Sequence, residues 1–185
     1  MKQRTLKKEI FFEGVGVHLG KESKVILKPA QPDTGIIFVS KNNADDKMII
    51  GKVIPEAAMH ASVIKCGNWI VSTLEHLMAA IISFQIDNLI IEVDGIEIPI
   101  LDGSAHTFAH EIKTIGFLEQ NSEKFFLTPK QKLVFEDERE GRFIEITPAR
   151  LLKKSNFYDC NLYFEYLADF EHPLVGKQEL SGVLN

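Results

Sequence analysis

Short apolar segments separated by turn-forming residues dominate this chain of 185 residues. In the first half, the segments with strand-like composition are residues 9–12, 24–27, 35–39, 48–53, 62–65 and 69–72. Clusters rich in Pro, Asn and Asp separate several of them, for example at residues 29–33 and 42–46. Apolar segments this short, with breaks this frequent, predict a β-rich first half.

Two helical patterns interrupt these strands, and the first covers residues 73–84. Its apolar side chains recur at helical spacing, at Leu74, Leu77, Met78, Ile81 and Ile82. The opposite face carries the small side chains of Ala79, Ala80 and Ser83. Small side chains allow a second layer to approach closely, so we expect a helix that is buried on both sides. A strand over residues 88–93 should follow it.

The second helix should begin just after Asp102 and Ser104, whose side-chain oxygens can accept hydrogen bonds from the free N–H groups of a helix start. Phe108, Ile112 and Ile115 then form one apolar stripe that ends at Gly116. Together, the two helices and the strands predict an α+β fold in which a mixed sheet is combined with two helices.

The chain changes character after the second helix. Residues 119–123 are polar and are interpreted as a linker, after which strands are expected at residues 132–135, 143–146 and 162–167. No helical pattern of useful length follows Lys124. Because an open sheet with an uncovered apolar face is not stable alone, residues 124–185 are interpreted as the opening of a second domain whose helices lie beyond Asn185.

Composition and charge exclude several classes of protein. With 26 acidic and 21 basic side chains, the formal net charge is −5, so there is no general attraction to nucleic acid. The longest apolar stretch, residues 77–84, is far shorter than the ~20 residues that cross a bilayer. Cys66 and Cys160 lie too far apart for a thiolate zinc motif. We therefore expect a cytoplasmic protein that has no transmembrane segment and binds no nucleic acid.

A glycine-rich stretch, GVGVHLGK at residues 14–21, suggests a phosphate-binding loop, but its spacing does not fit one. A Walker loop needs glycine where Val15 lies and Ser or Thr where Glu22 lies. A tight turn between two strands, with a positive φ at glycine, is the favoured interpretation. His18 is then interpreted as a residue of this turn.

The spacing of two histidines on the second helix suggests a possible metal site. His106 and His110 are four residues apart on the second helix, but Thr107 occupies the position where an HExxH motif needs glutamate. They are therefore interpreted as solvent-facing residues. His60 and His172 have no spaced partner and receive no role from the pattern alone.

Glu75 and His76, at the start of the first helix, are the pair of residues best suited to a catalytic metal site. In the first turn they can flank one site, with the imidazole on a metal ion and the carboxylate on its bound water. The competing interpretation is a capping box over residues 72–75, in which Glu75 only accepts a hydrogen bond from the backbone of Ser72. Spacing alone favours the cap.

Three sequence blocks, in order, carry a family resemblance: GVGVHLG at residues 14–20, STLEHLMAA at residues 72–80 and EIPILDGS at residues 97–104. Asp87 and Asn88, FEHP at residues 170–173 and GKQ at residues 176–178 extend the match over essentially the whole chain. These blocks resemble the UDP-3-O-acyl-N-acetylglucosamine deacetylases, zinc enzymes of lipid A biosynthesis in Gram-negative bacteria.

The resemblance implies a role for the Glu–His pair. In this family, the histidine that matches His76 binds Zn²⁺ and the glutamate that matches Glu75 is the general base. A zinc ion held by such a site would polarise the acetamide carbonyl of UDP-3-O-acyl-N-acetylglucosamine and lower the pKa of its bound water. Attack of this water on the carbonyl would break the C–N bond and give acetate and a free amine. His60 and Ser62 are candidate substrate contacts, because they precede the first helix.

The resemblance also implies two β-α-α-β domains of similar topology, with the helices facing each other between two outer sheets and the site at the domain junction. Residues 1–120 would be the first domain, carrying Glu75 and His76, and residues 124–185 the incomplete start of the second. The other zinc ligands, in a His-Lys-x-x-Asp motif, do not occur in this sequence. The chain is thus expected to be an N-terminal fragment that is inactive alone.

Two alternatives remain open. The chain could be a metal-free binding module that holds a nucleotide sugar or a protein partner without turnover. It could also be a β-rich scaffold in which Glu75 acts only as a helix cap.

Overall fold

A computed structural model describes residues 1–58, 60–139, 141–148 and 161–184 of the chain. The chain divides into two compact units, Met1–Lys124 and Phe125–Asn185. The described residues form an α+β structure with two helices and mostly strands, as the sequence predicts. None of the helices in these ranges has the length and apolar character needed to cross a membrane.

Unit 1 contains ten strands and two helices among its described residues. In chain order they are β1 (Lys2–Leu6), β2 (Ile10–Val15), β3 (Glu22–Pro29), β4 (Ile36–Ser40), β5 (Lys47–Ile49), β6 (Glu56–Ala58), β7 (Ala61–Cys66), β8 (Trp69–Ser72), α1 (Glu75–Ser83), β9 (Leu89–Asp94), α2 (His106–Ile115) and β10 (Phe117–Glu123).

The largest sheet of unit 1 has five strands in the order β2-β3-β9-β4-β5. Only β4 and β9 run parallel, and the other neighbours are antiparallel, so the predicted mixed sheet is confirmed. Strands β6, β7 and β8 form a separate three-stranded antiparallel sheet. This smaller sheet leads directly into α1.

One hydrophobic core joins both helices to the large sheet. Helix α1 contributes Leu77 and Ile81, which are fully buried. Helix α2 contributes Phe108 and Ile112, and the ring of Phe108 packs edge-on against Phe12 of β2 with a centroid separation of 4.8 Å. The predicted apolar stripe of α2 therefore faces the core, and Gly116, with φ 76°, ends the helix as expected.

The outer face of α1 differs from the prediction. Ala79 and Ser83 are exposed. Ile82, which is predicted in the apolar stripe, is 50 % accessible, and Ala80, which is predicted on the opposite face, is buried. The prediction of a helix buried on both sides is therefore wrong for the described chain. Small side chains permit close packing, but they do not themselves supply a second layer.

The predicted linker at residues 119–123 is also wrong, because these residues belong to strand β10. Strand β10 pairs antiparallel with β1, and Leu6 lies opposite Phe117 in the register. The residues of β10 are all exposed or half-buried, with Leu118 and Glu119 exposed, whereas its partner β1 is largely buried. Polarity that resembles a linker therefore reflects an exposed strand.

Asp87 and Asn88 have structural roles in unit 1. The buried amide of Asn88 donates to Gln3 and Gln120 at 2.7 Å each, and its oxygen accepts from the backbone N–H of Gly35 at 2.8 Å. The carboxylate of Asp87 accepts from the backbone of Arg4 and forms an ion pair with Lys124. This pair of residues thus joins β1, β4 and β10 immediately before β9 begins.

Unit 2 consists of two antiparallel hairpins in its described residues. The strands are β11 (Leu133–Asp137), β12 (Arg142–Ile146), β13 (Leu162–Asp169) and β14 (Lys177–Leu184). Strand β11 pairs with β12, and β13 pairs with β14. The residues of the FEHP block form the turn between β13 and β14, where the Nδ1 atom of His172 accepts a hydrogen bond from the backbone of Leu174.

Candidate active site

Glu75 is the first residue of α1, and its carboxylate does not cap the helix. Its Oε2 atom accepts a hydrogen bond from the backbone N–H of Ser62 in β7, at 3.1 Å. The backbone N–H of Ser72, which a capping box would use, donates instead to the carbonyl of Ile96 at 3.0 Å. The capping-box interpretation is therefore wrong, and the carboxylate is directed away from the backbone of its own helix.

The backbone N–H and carbonyl groups of Ser62 are both hydrogen-bonded. Its N–H donates to Glu75, and its carbonyl accepts from the N–H of Thr73 at 3.0 Å. Of the two candidate substrate contacts, Ser62 is half-buried beside Glu75, whereas His60 is exposed in the turn between β6 and β7 with φ 58°. The structure thus brings one of the two candidates to the carboxylate.

An open pocket of about 340 Å³ lies beside Glu75. Its walls are mostly apolar, and its lining consists of Ile50, Gly51, Val53, Pro55, Ser62, Ile64, Leu74, Glu75 and Met78. A small number of polar groups in an apolar pocket is typical of a site that orients a ligand. The pocket gives Glu75 access to a molecule from solution.

His76 follows Glu75 on α1 and is half-buried. A neutral imidazole is a common zinc ligand, so the side chain is chemically suited to the role that the resemblance implies. A catalytic zinc ion normally has three protein ligands. Within the described ranges, no group of three or more His, Cys, Asp and Glu side chains could hold a metal ion. These residues therefore supply an incomplete set of donors.

The remaining histidines and cysteines do not extend this set in the described residues. His106 and His110 are exposed on α2, with their ring centroids 6.3 Å apart, which confirms that they face solvent. Cys66 is a free, half-buried thiol in β7. Cys160 lies outside the described residues.

Glu97 connects the glycine-rich loop to the start of α1. This residue is only 3 % exposed, and its carboxylate accepts hydrogen bonds from the backbone N–H groups of His18 at 2.9 Å and Leu19 at 3.0 Å. It also accepts from the hydroxyl of Thr73 at 3.1 Å. The three blocks that carry the family resemblance therefore meet at one buried carboxylate.

The glycine-rich loop forms the predicted tight turn between β2 and β3. Gly20 has φ 61°, and its N–H donates to the carbonyl of Gly16 at 3.0 Å. A Cβ atom at Gly16 would collide with the carboxylate of Glu97. Glycine at position 16 therefore allows Glu97 to approach the loop, and no phosphate ligand is needed to explain the motif.

The start of α2 is capped locally. The Ser104 hydroxyl accepts from the backbone N–H of His106 at 3.0 Å, and Asp102 accepts from the backbone N–H of Ser104 at 3.1 Å. The hydrogen bond from the Ser104 backbone lowers the pKa of the Asp102 carboxyl, with smaller contributions from the Ser104 and Thr107 side chains. Of the two alternatives predicted for this helix start, Ser104 accepts from the first helical N–H, whereas Asp102 accepts from Ser104 before the helix.

Sequence reasoning missed Thr73 and Glu97. Neither residue has a spacing that indicates chemistry, because their contacts join segments 24 and 79 residues apart. Thr73 lies in the second block of the resemblance and Glu97 begins the third, and these blocks are the signal that could have found them.

Comparison with known proteins gives consistent matches. A family model described as "LpxC: UDP-3-O-acyl N-acetylglycosamine deacetylase" matches residues 3–185. A UDP-3-O-acyl-N-acetylglucosamine deacetylase of Pasteurella multocida (strain Pm70) is 34% identical over 197 residues, covering 100% of this chain and 57% of the relative. A protein of the same name from Francisella tularensis subsp. tularensis (strain WY96-3418) is 35% identical over 182 residues, covering 95% of this chain and 58% of the relative.

A third relative of that name, from Oleidesulfovibrio alaskensis, is 35% identical over 185 residues, covering 97% of this chain and 55% of its own length. The chain thus spans between 55% and 58% of the length of these three relatives.

Proposed function

Because this chain belongs to the family of UDP-3-O-acyl N-acetylglycosamine deacetylases, we propose that it carries part of the active site of a zinc-dependent amide hydrolase. The proposed reaction removes the N-acetyl group from UDP-3-O-acyl-N-acetylglucosamine in lipid A biosynthesis. The proposed location is the cytoplasm.

The observation that carries this proposal is the carboxylate of Glu75. It is directed away from the backbone of α1, accepts one hydrogen bond from Ser62 and lines an open, mostly apolar pocket. A carboxylate with one oxygen held by a fixed donor can accept a proton on its other oxygen. We assign Glu75 the role of general base towards a water molecule that attacks the amide carbonyl.

We propose that His76 supplies one ligand of the zinc ion. The described residues offer no group of three suitable donors, so the other ligands must come from outside these residues. Zinc content would test this assignment. We expect the complete product of the gene to bind one zinc ion, and His76→Ala to lose most of it, while His106→Ala on α2 binds it normally. Equal zinc content in all three proteins would contradict the role of His76.

The same membership supports a proposal for the domain organisation. We propose that residues 1–120 are a first β-α-α-β domain and that residues 124–185 are the opening strands of a second, similar domain. The two hairpins of unit 2, which leave apolar side chains such as Phe135 and Phe143 exposed, support an unfinished sheet.

The decisive assay is acetate release from UDP-3-O-acyl-N-acetylglucosamine by the complete gene product. Removing a general base costs typically about a hundredfold or more in rate, so Glu75→Gln should lower kcat by at least that much. Glu92→Gln removes a carboxylate that pairs with Lys28 on the large sheet and should leave kcat unchanged. The 185-residue chain alone should show negligible turnover. Steady turnover by this chain, or an active Glu75→Gln variant, would contradict the proposal.

A metal-free binding module remains the second candidate, favoured by the incomplete donor set of the described residues. It predicts that the complete gene product binds the nucleotide sugar equally well after treatment with a chelator, without releasing acetate.

A further inference from the structure

Thr73, the residue that leads from β8 into α1, has an unusual backbone conformation. Its φ is 58°, in the left-handed region. A β-branched residue is strongly disfavoured there, because its side chain crowds its own backbone. Such a conformation persists only where the surrounding structure holds it, and it is found most often at functional sites.

Two hydrogen bonds hold Thr73 in this conformation. Its hydroxyl donates to Oε1 of Glu97 at 3.1 Å, and its backbone N–H donates to the carbonyl of Ser62 at 3.0 Å. Thr73 is itself 2 % exposed, so water does not compete for these bonds. Glu97 is fixed in turn by the backbone N–H groups of His18 and Leu19.

The same peptide segment of β7 contacts Glu75. The carbonyl of Ser62 accepts from Thr73, and the N–H of Ser62 donates to Oε2 of Glu75. The position of the Glu75 carboxylate against β7 therefore depends on the backbone direction that Thr73 sets two residues earlier. A change in the φ of Thr73 would move the first turn of α1 relative to Ser62.

We propose that Glu97 is a positioning residue for Glu75, acting through the hydroxyl of Thr73. The buried carboxylate keeps Thr73 in its left-handed conformation, and this conformation brings Glu75 to the N–H of Ser62. The relevance of this positioning to catalysis rests on the proposed function. Its structural part, the dependence of the Ser62–Glu75 hydrogen bond on Glu97, stands independently of any activity.

Two variants break the Thr73–Glu97 contact from its two ends. Thr73→Val removes the hydroxyl. Glu97→Ala removes both acceptor oxygens, whereas Glu97→Gln could keep an oxygen where Thr73 and His18 donate and oppose only the N–H of Leu19. Thr73→Ser keeps the hydroxyl and should behave as the unsubstituted protein. Thr5→Val is the matched control, because Thr5 is also a buried threonine whose hydroxyl is hydrogen-bonded, to Asn88 and Ala30.

The first measurement is the amide proton shift and hydrogen exchange of Ser62 in the 185-residue chain, by NMR. Glu75→Ala defines the signal of Ser62 without its acceptor. We expect Thr73→Val and Glu97→Ala to move the Ser62 amide towards that reference and to accelerate its exchange. Thr73→Ser and Thr5→Val should leave it in place. An unchanged Ser62 amide in a folded protein that lacks either the Thr73 hydroxyl or the Glu97 carboxylate would overturn the proposal.

The second measurement is steady-state kinetics of the complete gene product. Misplacing a catalytic group by about 1 Å can cost as much as a hundredfold, so we expect Thr73→Val to lower kcat by about tenfold or more while KM changes by less than about twofold. Thr73→Ser should restore kcat. A normal kcat in Thr73→Val would overturn the catalytic part of the proposal. An inactive unsubstituted protein would refute the proposed function instead, while the NMR result would still decide whether Glu97 positions Glu75.

Discussion

The two helices of unit 1 begin in opposite ways. At α2 the contacts are local, since Ser104 accepts from the N–H of His106 and Asp102 accepts from the N–H of Ser104. The side chain of the N-cap residue itself, Leu74 or Ala105, makes no cap hydrogen bond within the described residues at either helix. The start of α1 is held by β7, by Glu97 and, through Glu97, by the loop between β2 and β3.

This difference separates a structural helix start from a candidate functional one. A local cap satisfies the helix but uses the side chain that provides it. At α1 the remote contacts stabilise the helix start, and the carboxylate of Glu75 stays available beside an open pocket. Local rules describe the α2 start well and describe the α1 start wrongly, because there a sequence that matches a cap serves another purpose.

The largest stability effect should come from the remote contacts. Glu97→Gln leaves at least one buried N–H group of the loop without a good acceptor, and the loss should be about 2–3 kcal/mol in the free energy of unfolding. Urea unfolding of the 185-residue chain, followed by tryptophan fluorescence of Trp69, measures it. Glu92→Gln is the control. A loss no larger than that of the control would mean that α1 does not depend on Glu97.

Removing the local cap should have a smaller effect. Ser104→Ala removes the acceptor for the N–H of His106, and the expected loss is about 1 kcal/mol, as for other helix caps. Ser104→Thr keeps an acceptor and should retain most of the stability. Because the two helix starts use different contacts, the Ser62 amide signal should not change in Ser104→Ala. A shifted Ser62 amide would show that the two starts are coupled.

Acid should affect the α2 start weakly. Hydrogen bonds to the ionised form lower the pKa of Asp102, so the ionised carboxylate favours the folded state. Its contribution is present above the ordinary aspartate pKa of about 3.9 and is lost as the pH falls through the lowered value in the folded state. The difference in Tm between the unsubstituted chain and Asp102→Asn should therefore be positive at pH 6 and shrink below about pH 4. A difference that grows with acidification would contradict the assignment.

The smallest effect on stability should follow substitution of Glu75. Glu75→Gln keeps an acceptor for Ser62 and does not disturb a cap, so we expect a change below about 0.5 kcal/mol in the free energy of unfolding. Urea unfolding of the same chain measures this change. A small stability change together with a large loss of kcat would identify Glu75 as a residue kept for chemistry.

Elements with a clear local pattern could be predicted from the sequence. The two helices, the apolar stripe of α2 and the turn at Gly20 follow from periodicity and turn residues, and the structure contains them; the stripe of α1 is only partly right, because Ile82 is exposed. Strands β1 and β10 were missed because their register pairs residues more than 110 positions apart, with Leu6 opposite Phe117. Two of the buried residues of β1, Gln3 and Thr5, are polar, and β10 is exposed or half-exposed, so neither strand shows an apolar alternation.

The candidate site was only partly predictable for the same physical reason. Glu75 and His76 could be singled out from their residue types and the family resemblance. The hydrogen bond from the Ser62 N–H to Glu75 and the role of Glu97 depend on contacts between distant segments. No local pattern encodes a hydrogen bond that forms only after β7, α1 and the glycine-rich loop have come together.

The pairing of β1 with β10 places the first and last residues of unit 1 side by side. The N–H of Lys124 donates to the carbonyl of Met1 at 2.9 Å, and the N-terminal ammonium lies 3.4 Å from Glu123. A folded unit whose two ends meet can be circularly permuted or inserted into a host protein with little distortion. A short peptide could therefore join residues 124 and 1 covalently, with new ends opened in an exposed turn such as residues 42–46.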